Sequence, residues 1–108
     1  MTFYAWFIFI AAAMLEVGGD AIMRKGLYGK KALIIVLGFV MLGFYGVVVN
    51  AVKWDFSKLL GVYVAVFALI SVLFGRFVLK ENISNSTWLG LALIIMGGLV
   101  IQFGEILT

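Results

Sequence analysis

Four apolar runs, Phe3–Met23, Ala32–Val52, Leu59–Leu79 and Thr87–Leu107, take up most of this 108-residue chain. A membrane-spanning helix needs about 20 consecutive apolar residues, and each run reaches that length. A membrane β-barrel would instead show segments of about ten residues alternating apolar and polar. With 66% hydrophobic residues, eight Lys or Arg, five Asp or Glu and a mean hydropathy of +1.24, the chain is far from the composition of soluble domains. The expected fold is an all-α membrane protein, a single domain over residues 1–108 with four transmembrane helices. The links between the runs are short, so neighbouring helices must run antiparallel.

The first run exceeds a signal peptide's apolar core, has no basic lead-in and shows no clear cleavage site, so a retained helix is expected. The sequence contains neither cysteine nor histidine. Disulfides, thiolate metal sites and imidazole chemistry are thereby excluded, and no residue set resembles a nucleophile with its base or a metal cluster. An enzyme, a metal and a cofactor are all unexpected. The pI near 9.4 comes from basic residues at the ends of apolar runs, which suits lipid headgroups and not nucleic acid.

Glu16 stands out because it sits in the middle of the first run. An ionised side chain at bilayer depth costs at least a few kcal/mol, so such residues face a protein interior or a watery cavity and by default mark proton, ion or substrate sites. The alternative is a carboxylic acid that stays protonated and joins helices. Phe9, Ala12, Glu16, Gly19, Asp20 and Met23 share a helix face by i, i+3, i+4 spacing. Ala12 and Gly19 leave room beside the carboxylate for a ligand or a partner helix. Asp20, one turn on, reads two ways: a second site carboxylate, or an i, i+4 partner of Arg24 near the interface, with pairing favoured.

On the third run Tyr63, Phe67 and Ser71 fall on one face with Ile70 and Phe74. Such an aromatic wall suits an organic cation by cation–π contact, and packing or lipid contact is the plainer reading. Tyr45 and Asn50 on the second run are weaker candidates. Among the links, Gly26 and Gly29 are expected to reverse the chain, Trp54 and Phe56 to lie at interfacial depth, and Asn85 and Ser86 to cap the last helix. On that helix Gly90, Gly97 and Gly104 recur at intervals of seven with Ile94 and Ile101 between them. A small-residue face of this kind lets membrane helices approach closely.

Arg24, Lys25, Lys30, Lys31, Arg76 and Lys80 lie on the side of the first and third links, against Lys53 and Lys58 on the other. By the positive-inside rule the first and third links are cytoplasmic and both termini outside.

The segment LEVGGDAIMRKGLYG resembles the first-helix motif of the small multidrug resistance (SMR) transporters of the drug/metabolite transporter superfamily, with Glu16 and Arg24 at the motif's glutamate and basic positions. GLALIIMGGLVI resembles that family's glycine-bearing dimerisation run, at Gly90 and Gly97. Tyr63 falls where the family usually has a substrate-contacting tryptophan. The likeness covers nearly the whole chain. It departs at Ala65 to Phe67, where the family has a small, glycine-rich stretch, at Asp55 for a proline, at Leu60 for a tyrosine, and at Asp20, a position usually uncharged.

The resemblance implies a proton-coupled antiporter that exports small cationic or amphipathic compounds. It would work as an antiparallel homodimer in a bacterial inner membrane, with protons and substrate competing for two Glu16 carboxylates and the subunits rocking about that site. The six-to-two charge bias favours a single orientation instead, so parallel and antiparallel pairing both stay open. A flippase for a lipid or lipid-linked metabolite is the competing transport reading, and a non-transporting membrane scaffold subunit is the competing reading outside transport.

Overall fold

In hydrocarbon a backbone N–H or C=O finds no water, so a spanning segment must satisfy its own hydrogen bonds. In the computed structural model, which describes residues 2–107 and the side chains of residues 4–104, the chain does this with four helices. They are α1 (Thr2–Gly29), α2 (Ala32–Asn50), α3 (Phe56–Phe77) and α4 (Asn85–Leu107). No strand occurs among the described residues, and all four helices are long and apolar enough to cross a bilayer. The protein is an all-α integral membrane protein. Its helices form two hairpins, α1 with α2 in Met1–Val52 and α3 with α4 in Lys53–Thr108.

In the first hairpin α1 continues past the end of its apolar run, from Met23 to Gly29. At about 1.5 Å per residue its 28 residues extend about 42 Å, well beyond a hydrocarbon core of about 30 Å. Arg24 and Lys25 are good helix formers and carry the helix into the headgroup zone. The expectation that Gly26 helps reverse the chain is corrected here. Gly26 is helical and buried, and a Cβ at this position would lie 2.8 Å from the Ile35 backbone nitrogen and 2.9 Å from its Cγ1. It is a contact point between helices.

The reversal falls on Lys30, whose φ of 55° is left-handed, followed by extended Lys31 at φ −110° and ψ 103°. The Lys31 N–H donates to the Gly26 carbonyl at 2.9 Å and the Lys30 N–H to the Leu27 carbonyl at 3.4 Å. These are the two bonds of a Schellman motif, here with lysine where glycine is usual.

In the second hairpin α3 begins at Phe56, ahead of the apolar run, and ends at Phe77. Lys58 places its Nζ 4.8 Å from the centroid of Trp54 just outside the helix start. The start of α4 also departs from expectation, because its cap is Ser84 and neither Asn85 nor Ser86. The Ser84 Oγ accepts the Thr87 N–H at 3.2 Å, and the Ser84 carbonyl accepts the first helical bond, from the Trp88 N–H at 3.1 Å. This is the N-cap arrangement, three residues apart.

Close approach of α3 and α4 depends on small residues. A Cβ on Gly98 would stand 2.6 Å from the Ala65 Cβ, and one on Gly61 would stand 2.6 Å from the Ile101 Cδ1.

Candidate functional site

The α1–α2 seam can be traced from its glycines. A Cβ on Gly19 would meet Leu42 Cδ2 at 3.0 Å and Met41 Cβ at 3.2 Å, and one on Gly38 would meet the Met23 backbone nitrogen at 3.0 Å. With Gly26 against Ile35, these contacts pair 26 with 35, 23 with 38 and 19 with 42. The α1 positions step by three and four, the spacing of a helix-packing stripe. Continued at the same spacing, the register puts Glu16 level with Tyr45 and Ala12 level with Val49. The last pair is 0% and 1% exposed, as a seam position should be.

Glu16 thus lies on the α1 face that packs against α2, in the layer between Ala12 and Gly19. Ala12 and Gly19 are buried, and Glu16 and Tyr45 are half-buried. Of the sequence candidates, Ala12, Glu16 and Gly19 are brought together on this seam. Tyr45, ranked low from sequence, belongs with them, and the signal that could have found it is the matching stripe Ile35, Gly38, Leu42, Tyr45, Val49 on α2.

Asp20 sits beside the seam and is exposed. The favoured pairing with Arg24 is not the arrangement seen. The Arg24 guanidinium lies over the Tyr28 ring, 5.4 Å from its centroid, and among the described residues no ion pair joins it to Asp20. Arginine gains cation–π contact there, near the turn of the hairpin, without holding a carboxylate.

The remaining candidates belong to the second hairpin. Tyr63 is buried, Phe67 and Ser71 half-buried, and all three share one face of α3. The rings of Tyr63 and Phe67 are 6.3 Å apart and inclined by 31°. Ser71 returns its hydroxyl to its own helix, donating to the Ala68 carbonyl at 2.9 Å. On α4, Cβ atoms on Gly90 and Gly97 would meet nothing within 4 Å, and one on Gly104 would meet only Val100 Cγ1 at 3.7 Å on the same helix. Ile94 is 41% exposed, and so is Ile101, although Ile101 also reaches Gly61 of α3. The buried glycine of this helix is Gly98, one position off the seven-residue stripe.

Similar proteins match nearly end to end. A UPF0060 membrane protein of Desulfitobacterium hafniense (strain Y51) is 30% identical over 97 residues, covering 88% of this chain and 90% of its own length. The chain belongs to the UPF0060 family of membrane proteins. Another UPF0060 protein, from Staphylococcus aureus (strain MRSA252), is 31% identical over 99 residues, with 90% and 92% of the two chains covered. One from Synechocystis sp. (strain ATCC 27184 / PCC 6803 / Kazusa) is 25% identical over 98 residues, with 90% and 91% covered. No family model and no solved structure matches the chain. The half-buried Glu16 thus sits on a tight helix seam of a UPF0060 membrane protein that its relatives match over about nine-tenths of its length.

Proposed function

We propose that this UPF0060 protein is a proton-coupled exporter of small cationic or amphipathic compounds, similar in design to the SMR transporters, with Glu16 as the proton and substrate site. The observation that carries this reading is the position of Glu16: a half-buried carboxylate in the middle of a spanning helix, between buried Ala12 and Gly19. A carboxylate so placed is expensive unless it binds something. The small neighbours leave space next to it, and its two protonation states allow protons and a cation to compete for one group. On α3 the half-buried Phe67, with the buried Tyr63 ring beside it, is the aromatic group we assign to an organic cation.

The working unit is a homodimer in the plasma membrane of a bacterium. Gly90 and Gly97 support it, because their faces of α4 are open to a second helix, and Ile94, Ile101 and Gly104 continue that surface. No cofactor or metal takes part, and the partners are protons, substrate and lipid.

The test is purified protein in proteoliposomes under an imposed pH gradient, with a panel of organic cations, comparing wild type with Glu16→Gln. Substrate-linked proton movement in wild type and its loss in the variant are expected. Coupled movement that survives Glu16→Gln would remove Glu16 from the mechanism, and no coupled movement in wild type with any cation would overturn the function.

A further inference from the structure

We propose that Tyr45 is the positioning residue for Glu16, its phenol hydrogen-bonding the carboxylate across the α1–α2 seam and holding it ready to exchange its proton. Of the seam's five layers, glycine contacts fix three and the helical spacing extends them to the other two; four of the five are made only of aliphatic residues, methionine and glycine. The fifth opposes Glu16 to Tyr45. Each is the only residue of its stripe with a polar side chain, and they stand in the same layer. A polar group between packed helices in lipid is stable when it finds a partner there.

Other partners on the same elements are engaged or displaced. Helix α2 carries no charged residue, and besides Tyr45 its one polar side chain is Asn50. Asn50 donates its Nδ2 to the Gly46 carbonyl of its own helix at 2.8 Å. Arg24 lies two turns from Glu16 toward the Lys30 turn, over Tyr28. Asp20 is on the flank of the seam and exposed, and as an acceptor-only group when ionised it cannot donate to Glu16. The titratable groups that bear on Glu16 within this hairpin are therefore Asp20, from its own helix, and Tyr45, from α2.

A phenol can serve both states of a carboxyl group. It donates its O–H to the ionised form, and by rotating about the C–O bond it accepts from the protonated form. No proton passes through Tyr45 in this scheme: the proton that Glu16 binds is the proton Glu16 releases. A bond to the charged form is stronger than one to the neutral form, so Tyr45 favours release. It also fixes the direction in which the carboxylate oxygens face.

The inference rests on Glu16 being the proton site of transport, and the experiment reads it without transport. The chain has three glutamates, Glu16, Glu81 and Glu105. With glutamate labelled at its carboxyl carbon, NMR titration of purified protein follows all three, and Glu16→Gln assigns the resonance of interest. Tyr45→Phe keeps the ring in the seam and removes only the hydroxyl. The expected result is a Glu16 midpoint raised by about one pH unit or more, with Glu81 unmoved. A purely structural Tyr45 predicts no change, and a midpoint that stays put or falls overturns the proposal. Wild-type proteoliposomes that show no coupled proton movement would count against the transport function alone, since the titration involves no substrate.

Discussion

Gly97 and Gly98 are adjacent, chemically identical and in opposite surroundings, which makes them a controlled test of how the second hairpin is held together. A Cβ added at Gly98 would lie 2.6 Å from the Cβ of Ala65. Carbon atoms are at their optimum at about 3.5–4.0 Å, so the new methyl is about 1 Å too close. Neither Cβ can rotate away, because both are fixed to helical backbone, and α3 and α4 must separate to relieve the contact. Overpacking of this kind costs about 1–3 kcal/mol. The change also gains about 0.8–1 kcal/mol from the better helix propensity of alanine, which partly conceals the cost when Gly98→Ala is compared with wild type.

Gly97→Ala removes that ambiguity. It receives the same propensity gain, and its new methyl meets nothing within 4 Å. The stability difference between the two variants isolates the steric cost, and Gly98→Ala should be the less stable by about 1–3 kcal/mol. Reversible unfolding in mixed micelles titrated with SDS, followed by circular dichroism, measures the difference. The measurement belongs at a low ratio of protein to detergent, where association contributes nothing, and light scattering at a higher ratio reads association separately. Equal stabilities for the two variants, or a less stable Gly97→Ala, would refute the assignment of Gly98 to the α3 contact.

Two further substitutions probe the ends of helices. Lys30→Gly should stabilise the first hairpin by up to about 1 kcal/mol, since the left-handed φ of 55° is costly for a residue with a Cβ and free for glycine; a rise in unfolding midpoint checks it. Ser84→Ala should cost about 1 kcal/mol by removing the oxygen that accepts the Thr87 N–H, and hydrogen exchange should show the Thr87 amide losing protection while α3 amides keep theirs.

The four spans were legible because a bilayer imposes a length of apolar residues that no other solvent demands. Where the helices end was less so. The apolar run stops at Met23, yet Arg24, Lys25 and Leu27 are strong helix formers and α1 runs on to Gly29. Gly26 looked like a turn residue because glycine serves equally in a turn and in a close helix contact, and only the arrival of Ile35 from α2 distinguishes the two. The same ambiguity separates Gly98 from Gly97: the stripe of three glycines is visible as a period of seven, whereas the importance of the fourth depends on Ala65, more than thirty residues earlier. Lys30 in a left-handed turn carries no sequence signal at all, since lysine is not a residue that prefers that conformation.

The position of Glu16 was legible to one helix but not to two. Spacing on α1 alone placed it with Ala12, Gly19 and Met23, and that face is the one that meets α2. Spacing could not choose its partner, because the pairing of layers depends on the length of the turn, and α1 reaches six residues beyond its apolar run before the chain reverses. Had the reversal fallen at Gly26, the α2 residues opposite Glu16 would have shifted toward Ala32. The turn at Lys30 brings Tyr45 to that layer instead. The extra turns of α1 therefore do more than extend the helix past its apolar run, for they set which α2 residue stands level with the half-buried Glu16. Insertion or deletion in the Lys30 turn would change the chemistry around Glu16 without altering a residue near it.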